Sequence, residues 1–563
     1  MNIPLLVFIL SAGLHSGPPN PSYQTIIRNG LLYDGSGGRP YRADIGISGD
    51  TIAFIGNLRN ARAAREIDAR GLAVAPGFIN MLSHSETSLI QDGRSQGDIR
   101  QGVTLEILGE SSMGPLRPQG SEVAPSDRVP WNTLGEYLTF LEKKGISCNI
   151  GSFVGTGTVR VFVLGEADIA PTAAQLDSMK WLVDQAMEEG AMGITNALIY
   201  PPMSFSKTDE LIALAKEASR YGGMYTSHIR SEGNKLFEAV NELITISRQA
   251  RIRSEIYHLK EAGQDNFWKL DSLIHIVETA RKQGLPITAD MYTYNRSSTG
   301  LSASFPPSLQ DGGFDSLLAR LHKKEIRDQM KKDMNTNALD WENTYYQAGG
   351  ASGVLLLGFN KDSLRKYIGK TLAEVAALRG QSPEETAMDL ILEDSTRIEV
   401  VYSSMKEGNV SKEVGLPWVS FGSDAASQAP EGDFLVSNPH PRAYGNFARV
   451  LGKYARDEKA VSLPMAIYKL SKLPATNLKL VKRGGLLPGY YADIVVFDPE
   501  KVADHASFEN PQVYSTGVLD VWVNGVLVLD NGVHTGAKPG RFIKGPGYKK
   551  GLLVQSSPAI PAR

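Results

Sequence analysis

Residues 191–229, AMGITNALIYPPMSFSKTDELIALAKEASRYGGMYTSHI, decide the fold. A strand-length run, AMGITNAL (191–198), precedes KTDELIALAKEASRYGG (207–223), whose apolar residues recur at helical spacing, and a second run, GGMYTSHI (222–229), closes the unit. That alternation predicts strand, helix and strand, with the two strands parallel. The pattern spreads in both directions through TLEILGE (104–110), ISCNIGSFVG (146–155), SEIYHLK (254–260), LPITADMY (285–292) and LPWVSFGSD (416–424). Helical segments such as AAQLDSMKWLVDQAMEEG lie between them. Repeated about eight times over residues 76–480, this grammar fits a parallel (β/α)8 TIM-like barrel better than a doubly wound sheet. Chemistry in such a barrel sits at the C-terminal ends of the strands.

Polar residues collect at those ends: His84, Glu110 with Ser111, Tyr200, His228, His258 with Lys260, Asp290 to Tyr294, and Asp424. The alternation is interrupted by NRSSTGLSASFPPSLQDGG and the charged LHKKEIRDQMKKDMN. Residues 295–365 therefore read as an insertion over the barrel mouth, in the position of a lid. On either side of the barrel, short β-branched segments separated by Asp-Gly, Gly-Asp and Asn-Gly turns predict antiparallel hairpins. They imply one small β-sandwich built from residues 22–75 and 481–547, followed by a tail at 548–563. The glycines of YDGSGG lack a following Lys-Ser/Thr, so turns explain them without a phosphate.

The chain has 563 residues, and 59 Lys plus Arg nearly cancel 61 Asp plus Glu, which removes the electrostatic footprint of a nucleic-acid binder. A small molecule is the expected partner, and nothing in the sequence fixes an oligomeric state. The single cysteine, Cys148, excludes an internal disulfide framework and a Cys-rich zinc site, and its place early in a strand predicts a buried, inert thiol. The apolar run from Pro4 to Leu14, followed by small residues, reads as a signal peptide over residues 1–18. A periplasmic or secreted protein is expected; the lack of Lys or Arg before the run keeps a cytoplasmic location as the alternative. No other segment approaches the ~20 apolar residues of a membrane-spanning helix.

A lone strand-end histidine is usually a hydrogen-bonded structural residue. Two of them, His228 and His258, on successive strands facing one axis point instead to metal ligation, because neutral imidazole is a preferred zinc donor. Asp424, in SFGSD, would be a cap or turn residue in isolation; beside two such histidines it becomes a metal ligand or general base.

Long stretches after the leader, among them IIRNGLLYDGSG, APGFIN, GVTLEILGE, LIYPP, HIRSEG, HLKEAG, STGLSASFPP, HPRAYGNFARVLG, GGLLPGYYADIVVFDP and TGVLDVWVNG, resemble the N-acyl-D-amino-acid deacylases, or D-aminoacylases, of the amidohydrolase superfamily. The resemblance implies a zinc-dependent barrel with a sandwich made from both termini. It also implies hydrolysis of N-acyl-D-amino acids to a carboxylate and a free D-amino acid, with one Zn²⁺ or two. His228 and His258 match the family's tight zinc histidines, and Asp424 its catalytic aspartate. The family's cysteine ligand falls at Ser111, a poor zinc ligand, so the adjacent Glu110 is the chemically sensible substitute and leaves another divalent metal open. His84 matches the second histidine of a first-strand pair whose first member is here Leu82, and Thr156 stands where histidine is common. Lys260, Tyr292, Ser298 and Arg442 match a clamp for the substrate α-carboxylate, and Tyr200 a donor near the scissile carbonyl. The departures leave two rivals: a dipeptidase or deacylase for acidic substrates, and a non-catalytic barrel with a degenerate metal site.

Overall fold

The computed structural model describes residues 22–116 and 128–550; the expected leader and the last part of the tail lie outside the described residues. The barrel strands are β1 (Phe78–Asn80), β2 (Val103–Leu108), β3 (Asn149–Ser152, continued by Val154–Gly155), β4 (Gly193–Ala197), β5 (Met224–His228), β6 (Arg253–Ile256), β7 (Ile287–Met291) and β8 (Val419–Phe421). Every neighbouring pair from β1 to β8 is parallel. The ring closes just past β8, where Ser83 bridges Ala425 in parallel and the Met81 amide donates to the Phe421 carbonyl at 3.1 Å. Both faces of the strands are covered, which is why they read as nearly continuous buried runs rather than as alternation.

Local chemistry sets the surrounding helices. Ala173–Glu189 starts at a reciprocal capping box between Thr172 and Gln175 and ends at Gly190, whose φ of 111° suits a residue without a side chain. Thr208–Arg220 buries Leu211, Ile212, Leu214, Ala215 and Ala218 on one stripe, with Glu210 buried beside them against Arg160. Among the described residues no helix is long and apolar enough to cross a membrane.

Strands from both chain ends form one further sheet of nine. Ile27, Ile45, Ile47, Val74, Ile494, Val496 and Trp522 fill its core. Ala73–Pro76 pairs antiparallel with Ile494–Phe497, joining the two termini. The pairings are not all antiparallel, as the turn signals predict: Ser22–Leu32 runs parallel to both Arg62–Asp68 and Ala73–Pro76. A strand of 11 residues is long enough to serve two short partners in succession along one edge. The end of the 481–547 segment also leaves this sheet. Gly540 donates to Ile146, Ile543 to Ile150 and Gly545 to Gly190, so residues 540–545 lie along the foot of the barrel.

The insertion is larger than residues 295–365. Glu399–Tyr402 pairs with both Ser297–Gly300 and Val354–Leu356, and a separate apolar core runs from Leu301 to Tyr402. Helical segments at Leu372–Arg379 and Pro383–Asp394 look like barrel helices in sequence but pack here instead.

A buried polar knot joins barrel to sheet. Asp493 pairs with Arg483, their side chains 8% and 5% exposed, and accepts the Asn524 amide at 2.8 Å. The Asn524 side chain donates to Asn149 at 2.7 Å, at the start of β3. Asp493→Ala leaves the Arg483 charge buried without its partner, which costs about 3–5 kcal/mol. Equilibrium urea unfolding checks this: a loss near zero would show that the knot does not hold the two units together.

Candidate active site

Loops after the barrel strands bring nearly all the sequence-derived residues to one mouth. Glu110 follows β2, His228 ends β5, His258 and Lys260 follow β6, Tyr292 follows β7 and Asp424 follows β8. They line a cavity of about 550 Å³ together with His84, Ser111, Tyr200, Ser298 and Arg442. Two groups of ligand atoms stand close enough to share an ion, each with its atoms within 4.8 Å of one another: Glu110, His228 and His258, and His84, Glu110 and Asp424. Glu110 Oε1 lies 3.6 Å from His228 Nδ1 and 3.9 Å from His258 Nε2, and the two imidazole rings meet edge to face at 4.4 Å. Ser111 lines the cavity beside it, but an un-ionised hydroxyl supplies no anionic donor there.

The electrostatics separate the acids. Burial works against ionising Asp424, yet Arg442 at 2.7 Å, with His258 and His84, holds its carboxyl well below the usual range. Burial likewise opposes Glu110, which His228 and His84 lower on balance. For Glu232, burial is overcome chiefly by the charge of Lys260. Asp290 has no such cation in contact: burial, with the charge of Glu255, pushes it well above the carboxylate range. Burial pulls His84 down, but its 2.9 Å hydrogen bond to Asp424 and the charge of Glu110 push it up to about 9. His258 is lowered by burial and by Lys260.

Two site residues sit in the left-handed region, His258 at φ 36° and Asp424 at φ 50°. Such strain persists only where neighbours fix it. The His258 amide donates to Asp290 Oδ1 at 2.7 Å, and the Asp424 amide to the Leu82 carbonyl at 2.8 Å. Leu82 is fully buried, and a Cβ on Gly422 would meet its Cβ at 2.8 Å, so this first-strand position is a packed contact with β8. Thr156 opens the helix Thr156–Leu164 and is buried.

Three residues of the clamp that the resemblance implies already have partners within the protein. Lys260 Nζ donates to Glu232 at 2.6 Å and lies 2.7 Å from His258 Nδ1. Ser298 donates its hydroxyl to the Val400 carbonyl, and Arg442 is paired with Asp424. Tyr292 stacks under Arg442, with the guanidinium carbon 4.4 Å from its ring centroid. Tyr200 lies edge-on to His228 at 5.2 Å, and burial keeps its hydroxyl protonated. Cys148 is buried outside the site, and burial pushes its thiol up.

Glu232 and His440 are the members that strand-end reasoning misses. Glu232 Oε1 lies 3.0 Å from His258 Nδ1 and 3.7 Å from His228 Nε2. Glu232 Oε1 and the Lys260 ammonium both engage His258 at Nδ1, which leaves Nε2 as the ring nitrogen facing Glu110. His440 accepts the Arg442 amide on Nδ1 at 3.0 Å and places Nε2 3.0 Å from the Arg296 carbonyl, which fixes its proton on Nε2. The only sequence signal for Glu232 is its spacing of four from His228, a weak one in a loop.

The Amidohydrolase family profile matches residues 362–529. The chain is 31% identical to the D-aminoacylase of Alcaligenes xylosoxydans xylosoxydans over 92% of its own length and 97% of that protein. It is 30% identical to the N-acyl-D-aspartate deacylase of the same organism, over 92% and 94%. The crystal structure of N-acyl-D-glutamate deacylase from Bordetella bronchiseptica, complexed with zinc and a phosphonate inhibitor, superposes with a TM-score of 0.79 at 27% identity. It covers 93% of this chain and 100% of that one.

If Glu232 orients His258, Glu232→Gln lowers zinc affinity about 10–100-fold. Competition with a chromogenic chelator measures this directly, and unchanged affinity would leave Glu232 as the partner of Lys260 alone.

Proposed function

The chain belongs to the N-acyl-D-amino-acid deacylases, or D-aminoacylases, of the amidohydrolase superfamily, and on that premise we propose that it hydrolyses the amide of N-acyl-D-amino acids with a divalent metal ion, Zn²⁺ by the character of its donors. One observation carries this reading: Glu110, His228 and His258 converge beside an ionised Asp424 and a buried arginine. The donor set fits an ion on its own terms. Glu110 Oε1 and His228 Nε2 are buried without a hydrogen-bond partner, and native folds seldom leave such atoms unsatisfied. Glu110, His228 and His258 would hold the ion, which when bound supplies Lewis-acid polarisation of the scissile carbonyl.

The chain's own residues do the rest. Asp424, kept ionised by Arg442, accepts a proton from the attacking water and returns it to the departing amine. Arg442 is the anchor for the substrate α-carboxylate: its Nε is buried without a hydrogen-bond partner, and Tyr292 holds its plane. Tyr200 stays protonated beside His228, so its hydroxyl can donate to charge that develops on the carbonyl oxygen. Lys260 balances the buried charge of Glu232 rather than meeting substrate as a free cation. We also propose export, supported by the apolar run from Pro4 to Leu14. Fractionation that finds the full-length protein in the cytoplasm would remove that part.

The test is amine release from matched D and L N-acetyl amino acids, with metal content measured on the same protein. D substrates alone are turned over, metal is bound by the wild type, and Glu110→Ala loses it. Asp424→Asn lowers kcat about 100- to 10,000-fold with metal retained. Full turnover by Asp424→Asn would show that the base is another group.

A further inference from the structure

We propose that Asn80 is a positioning residue for the hydrolysis: its buried side-chain amide sets the backbone turn that presents Asp424 to the substrate. This rests on the reading of Asp424 as the base and adds a residue through which that base is aimed.

Asn80 ends β1 and is fully buried. Its Oδ1 accepts the Ser423 amide at 2.8 Å, and its Nδ2 donates to Ser423 Oγ at 2.8 Å and to Asp98 Oδ1 at 3.1 Å. A backbone amide can only donate, so Oδ1 must be the atom facing it, and Nδ2 is left for the two acceptors. One side chain thus grips Ser423 at both its amide and its hydroxyl. The next residue is Asp424.

That residue needs such a grip. Asp424 sits at φ 50°, a conformation that a residue with a side chain keeps only where its neighbours impose it. Its own amide donates to the Leu82 carbonyl at 2.8 Å, and the Ala425 amide donates to Ser423 Oγ at 3.3 Å. This hydroxyl is the one that Nδ2 reaches, so Asn80 acts on the turn both before and after the strained residue. Arg442 and His84 touch the carboxylate itself, but the backbone decides where that carboxylate starts from.

Asp98 holds Asn80 from behind. It is 2% exposed, lies in the short helix Gln96–Ile99, and donates its own amide to Ser427 Oγ at 3.1 Å. Asn80 therefore spans from a fixed carboxyl to the turn after β8, using a donor and an acceptor at once. No apolar side chain of its size can do both. The seam that closes the barrel is, on this reading, also the part that aims the base.

The experiment measures kcat, KM and bound zinc on the zinc-loaded full-length protein, with an N-acyl-D-amino acid that the wild type turns over. Asn80→Ala lowers kcat about 10- to 100-fold through misplacement of the base. KM and zinc content stay at wild-type values, because Asn80 makes no hydrogen bond to Arg442 or to Glu110, His228 and His258. Exchanging the pair, Asn80→Asp together with Asp98→Asn, keeps one amide and one carboxyl in contact with roles reversed, and it returns most of the lost kcat. Should Asn80→Ala not fold, Ser423→Ala removes only the gripped hydroxyl and lowers kcat about three- to tenfold. Wild-type kcat in Asn80→Ala or Ser423→Ala, a loss seen only in zinc content or KM, or an exchanged pair as slow as Asn80→Ala would overturn the inference and leave the deacylase reading standing. No amine release by the wild type from any N-acyl-D-amino acid would overturn that reading instead.

Discussion

Burying Glu110, Glu232 and Asp424 at one end of a closed barrel is the constraint that the rest of the molecule answers. An isolated carboxylate taken out of water costs several kcal/mol, so each must meet a cation or give up its charge. Arg442 meets Asp424, Lys260 meets Glu232, and imidazoles surround Glu110. Asp290 shows the other outcome: with no cation in contact it is pushed towards its neutral form and serves as the acceptor that holds the His258 amide. Whether a positive group touches it thus decides which acid can act as a base and which is scaffold.

That arrangement reaches well beyond the barrel. His440, which orients Arg442 through its amide, is itself boxed in by Tyr294 at 5.7 Å and Phe508 at 5.1 Å, both edge to face. Phe508 belongs to the segment between Ile494–Phe497 and Val518–Val523, and it also stacks with Arg296 at 4.4 Å. The C-terminal region therefore supports the arginine at the heart of the site as well as closing a sheet. The insertion contributes the opposite wall through Thr299 and Arg397. Chemistry, anchoring and the far wall are supplied by three different parts of the chain.

The barrel was legible because its strands are short apolar runs ending in polar residues, and a closed ring puts all those ends together. His228, His258 and Asp424 could be chosen on that ground alone. Glu110 needed the resemblance, which puts the family's cysteine at Ser111 and so makes the neighbouring carboxylate the candidate ligand. Glu232 was hidden because it lies in an irregular loop, where no periodicity says which way a side chain points. The partner of Lys260 was hidden for a related reason: its two-residue spacing from His258 puts both at the mouth, but spacing cannot show that Glu232 rises from the neighbouring loop to meet it. The insertion boundary failed because helices of the second core carry the same apolar spacing as barrel helices; which core they join depends on Glu399–Tyr402 pairing far away in sequence.

The missing first-strand histidine then takes on a structural meaning. At Leu82 the chain fills the seam between β1 and β8, with Gly422 clearing room for it and its carbonyl fixing the amide of Asp424. An imidazole at that position would have to point out of an apolar contact to add a ligand. The second cluster thus rests on His84, Glu110 and Asp424, and it shares Glu110 with the first. The first cluster draws its two histidines from β5 and the turn after β6, which Leu82 does not touch. A leucine just after β1 therefore bears on the group that includes His84 and leaves the donors of the first group untouched.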